Sequence, residues 1–252
     1  MPEKIIQFQG VQKAFGPTVV FKDLTLDVRR GETLTIIGGS GVGKSVCLKL
    51  LIGLLRPNAG SITAFGESVT DQDEAGMLMI RKRISMLFQG AALFDSMSVE
   101  ENIKYPLVEH RWGTDAEMSK RVAEVLDLVD MPGIQKLRPA ELSGGMKKRV
   151  GLARAIAIQP EVILYDEPTT GLDPVNVRRI NGLILSLQER LGVTSLVVTH
   201  DMDTVFTITD RLALMHEQRI VFVGTPDEAR THELRYLREF VQGGRGTLDE
   251  DL

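Results

Sequence analysis

A short β-prone run leads directly into a glycine-rich loop, and this junction constrains the fold more than any other part of the chain. The run covers residues 33–37, and a helix is predicted over residues 44–54. The loop between them consists of Gly38, Gly39, Ser40, Gly41, Val42, Gly43, Lys44 and Ser45. It fits the pattern G-x-x-x-x-G-K-[ST], in which backbone N–H groups surround phosphate oxygens, a lysine neutralises them and a hydroxyl reaches Mg²⁺. The strand–loop–helix order therefore predicts an α/β domain that binds a nucleotide.

Composition and charge favour a globular domain without a membrane span of its own. Of the 252 residues, 43% are hydrophobic and 25% are charged, and the net charge of −4 gives no general attraction to nucleic acid. The most apolar helical stretch, residues 48–55, is much shorter than the roughly 20 residues that cross a bilayer. The single cysteine, Cys47, cannot form an internal disulfide, and no apolar signal segment follows the first residues. We therefore expect a cytosolic protein, to which another chain supplies any membrane segment.

Hydrophobic periodicity predicts a mostly parallel sheet with a helical insertion. Strands are predicted over residues 4–9, 18–28, 33–37, 60–65, 83–88, 162–165, 195–198, 211–215 and 219–223. Helices are predicted over residues 75–81, 116–129, 145–158, 176–191 and 233–241. We expect one domain, residues 1–242, with a helical subdomain inserted at about residues 90–158. Residues 243–252 are expected to form a mobile acidic tail.

Two adjacent carboxylates follow the apolar strand at residues 162–165. The carboxyl ends of buried parallel strands meet at the edge where α/β proteins bind ligands. Asp166 can hold Mg²⁺ through its water shell, and Glu167 can polarise an attacking water molecule. The alternative is a pair of solvated acids that ends a strand, but the phosphate loop (residues 38–45) favours the catalytic interpretation.

His200 and Gln89 also follow predicted strands. His200 comes after residues 195–199, so it lies at the same edge as Asp166, and its imidazole can donate to a γ-phosphate or orient water. A single histidine there can also be purely structural. Gln89 follows residues 84–88 and can reach the metal or the water with a neutral amide, or it simply ends a strand; the spacing leaves both interpretations open.

These segments, with Leu142-Ser143-Gly144-Gly145-Met146 and Asp173, form an ordered set that resembles the ATP-binding cassette (ABC) ATPases over residues 4–242. The resemblance implies a P-loop NTPase fold with a RecA-like, mostly parallel sheet, an antiparallel β subdomain and a helical signature subdomain. In such proteins two subunits enclose two ATP molecules. Each ATP lies between one chain's phosphate loop and the other chain's LSGG residues.

The resemblance also assigns roles to single residues. Ser143, Gly144 and Gly145 would grip the partner chain's nucleotide, and Asp173 would contact the partner across the dimer. Phe15, next to Gly16 and Pro17, would stack on adenine or plug the domain edge, and the sequence leaves both open.

Two positions depart from the commonest family pattern. Val46 replaces a second hydroxyl residue after the loop, so backbone N–H must serve the α-phosphate there. Met146 replaces the glutamine of LSGGQ, which we expect to weaken one contact to the partner's nucleotide.

A narrower resemblance concerns residues 85–99, residues 102–110 and Met146, which are similar to the ATPase subunits of Mla/Mce-type lipid transporters. This implies a place on the cytoplasmic face of the inner membrane and transport of phospholipids between inner and outer membranes. The implied partners are a second copy of the chain, an integral membrane permease dimer, an MCE-domain protein and a STAS-domain protein.

Three other functions remain open beside lipid transport. An ABC importer for a small polar solute shares the segment at residues 170–174. A cassette protein that acts on ribosomes or DNA ends would carry tandem cassettes or long coiled coils, which this sequence lacks. A non-catalytic binding module is disfavoured by Glu167 and His200.

The apolar loop, residues 91–97, is either buried core or a groove that receives a permease helix.

Overall fold

Ten strands form one mixed sheet in the computed structural model, which describes residues 2–241. The strands are β1 Lys4–Phe15, β2 Thr18–Arg29, β3 Thr33–Ile37, β4 Ala59–Ala64, β5 Glu67–Ser68, β6 Ile84–Leu87, β7 Val162–Asp166, β8 Thr194–Val198, β9 Arg211–His216 and β10 Arg219–Gly224. Their order across the sheet is β5-β4-β1-β2-β10-β9-β3-β8-β7-β6.

Nine α-helices accompany the sheet within the described residues. They are α1 Lys44–Leu51, α2 Glu74–Arg83, α3 Val99–Glu109, α4 Asp115–Leu128, α5 Gly144–Ile156, α6 Pro174–Leu191, α7 Met202–Ile208, α8 Pro226–Thr231 and α9 Arg235–Val241. A short 3₁₀ helix, Pro139–Glu141, precedes α5. Ser98 and Thr114 begin α3 and α4 with capping boxes, which satisfy backbone N–H groups at both helix starts.

Strands β6, β7, β8, β3 and β9 run parallel and form one half of the sheet. Every residue of β3, β7 and β8 is buried, as expected of parallel strands covered by helices on both faces. Because these strands are parallel, the phosphate loop after β3, Asp166 at the end of β7 and His200 after β8 lie at one edge of the sheet.

Strands β1, β2, β4 and β5 form the antiparallel part, with β1 paired to both β2 and β4. Their buried side chains pack with α1 and α2 in one hydrophobic core, which includes Phe8, Phe21, Leu48 and Ile80. A second core joins α3, α4 and α5 to α6, and a third joins α7, β9, α8 and α9. The predicted division into a parallel core, an antiparallel β part and a helical part agrees with this arrangement.

Several predicted boundaries were wrong. The first helix ends at Leu51 rather than residue 54, because Gly53 has a positive φ of 68°. Strand β1 extends to Phe15 instead of residue 9, since β2 pairs with it along its whole length. The sequence analysis missed β5, α7 and α8, which have two, seven and six residues. The proposed tail lies outside the described residues.

No helix within residues 2–241 is long and apolar enough to cross a bilayer.

Candidate active site

The phosphate loop depends on glycine at two positions. Gly38 has φ 153°, and a Cβ there would lie 2.5 Å from the Met215 carbonyl oxygen. Gly43 has φ 107°, and its Cβ would lie 2.5 Å from Val20 and 2.8 Å from Phe21. Both positions therefore need the positive φ and the small size of glycine. The loop is held against the sheet by this close packing, and it opens α1 with free N–H groups at its N-terminus.

The Lys44 side chain folds back over the loop. Its Nζ donates to the carbonyl oxygens of Gly38 and Gly39, at 2.8 and 3.0 Å. Burial lowers the pKa of Lys44, while the charges of Glu167 and Asp166 act in the opposite direction. The loop therefore holds a partly desolvated cation at the start of α1. A desolvated cation attracts an anion more strongly than the same cation does in bulk water.

Ser45 and Asp166 meet at the base of the loop. The Ser45 hydroxyl donates to Asp166 Oδ1 at 2.6 Å, although the two residues are 121 positions apart in the sequence. This contact follows from the parallel order, because α1 begins after β3 and Asp166 ends β7. The pair places two oxygen ligands side by side. Within residues 2–241, no group of three or more His, Cys, Asp or Glu side chains is arranged to hold a metal ion.

Glu167 has an uncommon backbone conformation, with φ 49°, in the left-handed region. Its N–H donates to the Val198 carbonyl at 2.9 Å, which ties it to β8. Its side chain is almost buried and accepts hydrogen bonds from the hydroxyls of Thr170, at 2.9 Å, and Thr199, at 3.3 Å. These contacts fix the carboxylate at the edge of the sheet.

His200 completes the carboxylate's surroundings. Its Nδ1 lies 3.0 and 2.9 Å from the two Glu167 oxygens, while 62% of the His200 side chain is exposed. Because a carboxylate oxygen accepts hydrogen bonds, His200 Nδ1 is the donor in this contact. The other ring nitrogen faces the solvent. The imidazole therefore links Glu167 to open space.

A cleft of about 670 Å³ lies above these residues. Its walls are formed by Gly38, Gly39, Ser40, Gly41, Gly43, Lys44, Ser45, Val46, Gln89, Glu167, His200, Met202 and Phe240. The structure thus brings Gln89, Glu167 and His200 to the same cleft as the phosphate loop. Val42 is not part of the cleft wall, and its side chain packs on the hydrophobic core.

The LSGGM segment (residues 142–146) lies outside this cleft. Ser143 caps α5 by accepting from the Met146 N–H at 3.3 Å, and both Ser143 and Gly144 are exposed. A Cβ on Gly145 would lie 2.7 Å from Asn176 at the start of α6, so the starts of α5 and α6 are adjacent. Asp173 caps α6, accepting from Val175 and Asn176. The chain therefore presents two separate surfaces, a phosphate cleft and an exposed helix start.

Comparison with known proteins decides the family. The ABC transporter family matches residues 21–170, more than half of the chain. The chain belongs to this family. It is an ATPase subunit of the ABC transporter type, so ATP is the nucleotide that it binds and hydrolyses.

Relatives and solved structures agree with this. The probable ribonucleotide transport ATP-binding protein mkl of Mycobacterium leprae is 39% identical over 240 residues, covering 95% of this chain and 69% of the relative. The intermembrane phospholipid transport ATP-binding protein MlaF of Escherichia coli K12 is 37% identical over 239 residues, covering 95% and 89%. The dimeric cassette MJ0796, solved after hydrolysis with ADP and phosphate, superposes with a TM-score of 0.81 at 29% identity, covering 87% of this chain and 98% of that one.

Phe15 and Val46 lie in different places relative to the cleft. Phe15 ends β1 at the hairpin tip, is 45% exposed and lies under Lys13 Nζ at 4.7 Å from the ring centre. An exposed ring is free to stack, and it does not plug a domain edge, but it is not part of the cleft wall. Val46 lies in the wall of the cleft and offers no side-chain hydroxyl there.

Sequence reasoning missed several residues of this ABC site. Met202 and Phe240 line the cleft, and they come from two short helices, α7 and α9. Thr199 donates to Glu167. It directly precedes His200 at the end of a strand, and this position in the sequence could have identified it. Lys148 is buried on α5 and donates to the Glu167 carbonyl at 3.0 Å. It shares the inward face of α5 with Gly145 and Leu152, at helical spacing, which is the signal that could have found it.

Proposed function

We propose that two copies of this chain enclose two ATP molecules and, by hydrolysing them, drive a membrane permease that moves phospholipids between inner and outer membranes. The observation that carries the shared site is the separation of the cleft from the exposed start of α5. A helix start with free N–H groups binds anions, yet here it faces away from the chain's own nucleotide. A second copy supplies the missing half, as the dimeric relative MJ0796 suggests.

Hydrolysis in this site adds water across the terminal phosphoanhydride bond and releases ADP and phosphate. Glu167 accepts a proton from the attacking water, and its carboxylate is aimed by Thr170, Thr199 and His200. Lys44 and the N-terminus of α1 stabilise the charge on the transferred phosphoryl group. Gln89, on the cleft wall, reaches the same water through its amide.

The donors at the base of the loop fit Mg²⁺. Ser45 and Asp166 present hard oxygen ligands, 2.6 Å apart, and Gln89 adds an amide oxygen on the cleft wall. Mg²⁺ favours one or two carboxylates plus phosphates and water over an all-protein cage, which agrees with the small number of ligands. When bound, the ion supplies neutralisation of phosphate charge.

The choice of phospholipid as cargo rests on MlaF, whose name specifies that cargo and of which this chain covers most. An exposed apolar group also supports a permease partner: Phe94 is 42% exposed, Tyr105 41% and Val108 56%. We further propose an MCE-domain protein and a STAS-domain protein as partners, and a place on the cytoplasmic face of the inner membrane through the permease. The name of mkl favours a second candidate, a ribonucleotide, as a small polar cargo.

The test is affinity purification of the tagged chain from detergent-solubilised membranes, followed by transport assays in vesicles. We expect co-purification of an integral membrane permease, an MCE-domain protein and phospholipid, with ATP-dependent transfer of labelled phospholipid. The same complex carrying Lys44→Ala serves as the assembled but unpowered control. If labelled ribonucleotide is transported and stimulates ATP hydrolysis while phospholipid does neither, the cargo is polar and the lipid proposal is wrong.

A further inference from the structure

Lys148 is a buried lysine that joins the LSGGM helix to the catalytic end of β7. It is 5% exposed, and its Nζ donates to the backbone carbonyl of Glu167 at 3.0 Å. Burial lowers the pKa of Lys148, while the charges of Asp166 and Glu167 act in the opposite direction and favour the ammonium. Lysine is rarely buried without a partner, so this contact satisfies a group that would otherwise destabilise the core.

The partner atom belongs to the residue with the left-handed backbone. The Glu167 N–H donates to the Val198 carbonyl on β8, and the Glu167 carbonyl accepts from the Lys148 ammonium at 3.0 Å and from the Thr170 N–H at 3.4 Å. Both backbone polar groups of Glu167 are therefore held. Left-handed backbone in a non-glycine residue persists only where its surroundings hold it. Lys148 is one of the three groups that do so here, and its contact to the carbonyl is shorter than that of Thr170.

The same helix begins with the exposed LSGGM residues. Lys148 follows the capping residue Ser143 by five positions, which is about 7.5 Å along the helix axis. A helix of this length moves as a rigid rod, so a displacement of its start reaches the Lys148 side chain. The contact at Glu167 thus connects the helix with the exposed start to the residue that carries the carboxylate.

We propose that Lys148 is a positioning residue for the Glu167 carboxylate, and that it makes the aim of this carboxylate depend on the position of α5. The proposal rests on the proposed role of Glu167 as the base. An ATP held by the partner's phosphate loop and by Ser143 of this chain then adjusts the base that faces this chain's own ATP. The two sites of a dimer are coupled in this way through one hydrogen bond in each chain.

The experiment compares ATP hydrolysis and ATP binding by the purified full-length chain and its variants. Lys148→Met should lower kcat by roughly 10²-fold, the usual loss for a displaced catalytic group, while KM, ATP affinity and cooperative melting change little. Lys148→Arg should recover most of the loss, because a guanidinium can donate to the same carbonyl. Lys147→Met removes a charge from the neighbouring, partly exposed position and should behave as wild type.

A double variant separates positioning from a general structural role. If Lys148 acts through Glu167, Lys148→Met should add almost nothing to the loss caused by Glu167→Gln, since residues that act as one unit are not additive. Additive losses, or wild-type kcat for Lys148→Met beside a slow Glu167→Gln, would overturn the proposal. Wild-type turnover by Glu167→Gln would instead show that the proposed base is wrong.

Discussion

At the residue scale, the strained backbone of Glu167 is held in place by hydrogen bonds from several other residues. Glu167 adopts a left-handed backbone, which costs an L-residue roughly 1–2 kcal/mol. Val198, Lys148 and the Thr170 N–H contact its backbone, and the Thr170 hydroxyl, Thr199 and His200 contact its carboxylate. The contacts come from β8, α5 and the loops after β7 and β8. The carboxylate direction is therefore a property of the assembled sheet edge rather than of the local segment.

The residue-scale prediction concerns Lys44. Lys44→Ala should abolish tight binding of ATP with Mg²⁺, because the loop loses its cation and two hydrogen bonds to Gly38 and Gly39. The fold should survive, since the glycine packing at Gly38 and Gly43 does not involve the side chain. Calorimetric titration measures the affinity. Lys49→Ala, at the far end of α1, is the matched control and should bind ATP as tightly as the wild type. If Lys44→Ala bound ATP as tightly as this control, the proposed role of Lys44 would be wrong.

At the scale of elements, short sequence patterns predicted the strands, helices and loops that depend on neighbouring residues. The β3–loop–α1 unit and the buried strands β7 and β8 follow from short runs of sequence, and the structure contains these elements with small changes at their ends. Helical spacing could have marked Lys148 as an inward-facing residue of α5, but it could not have identified the acceptor, which lies 19 residues further along the chain, after β7. Phe240 reaches the cleft only because α9 packs on the core formed by α7, β9 and α8. Tertiary packing, not propensity, places such residues.

One buried side chain shapes the apolar loop (residues 91–97) between β6 and α3. Asn102, on α3, accepts from the Phe94 N–H at 2.8 Å and donates to the carbonyl oxygens of Phe94 and Met97 at 3.1 and 3.2 Å. Arg154 donates to the carbonyls of Ala91 and Ala92, both of which have positive φ. The loop is thus rigid, and Ala91 is buried core, whereas the Phe94 ring stays exposed beside Tyr105 at 4.9 Å.

The element-scale prediction uses this exposed ring. Phe94→Asp should leave ATP binding by the isolated chain and cooperative melting close to wild type, because Asn102 holds the backbone of the loop. It should prevent co-purification with a membrane permease, since a charged side chain opposes docking of an apolar helix. Val221→Asp places the same charge on an exposed apolar position of β10 and should leave co-purification intact. Loss of folding in Phe94→Asp would instead mean that the ring is core.

At the scale of the whole molecule, the three hydrophobic cores place the two nucleotide-facing surfaces on different parts of the fold. The cleft rests on the core around β3 and α1, and the exposed start of α5 rests on the core around α3–α6. In the proposed dimer, a two-fold axis brings each cleft to the α5 start of the other chain, which is the symmetric closure expected of a homodimer.

The whole-molecule prediction follows from this division. Ser143→Arg and Lys44→Ala should each be inactive alone, since one blocks the exposed helix start and the other disables the cleft. A heterodimer of the two variants rebuilds one site, with Lys44 from one chain and Ser143 from the other. An equal mixture should therefore regain at most about one quarter of wild-type turnover if the sites work independently.

Ser96→Arg, at an exposed serine elsewhere on the helical part, should hydrolyse ATP as wild type. Steady-state phosphate release measures all four samples. Turnover by the Ser143→Arg homodimer equal to wild type would show that the start of α5 does not face ATP, and the shared site would then have to be abandoned.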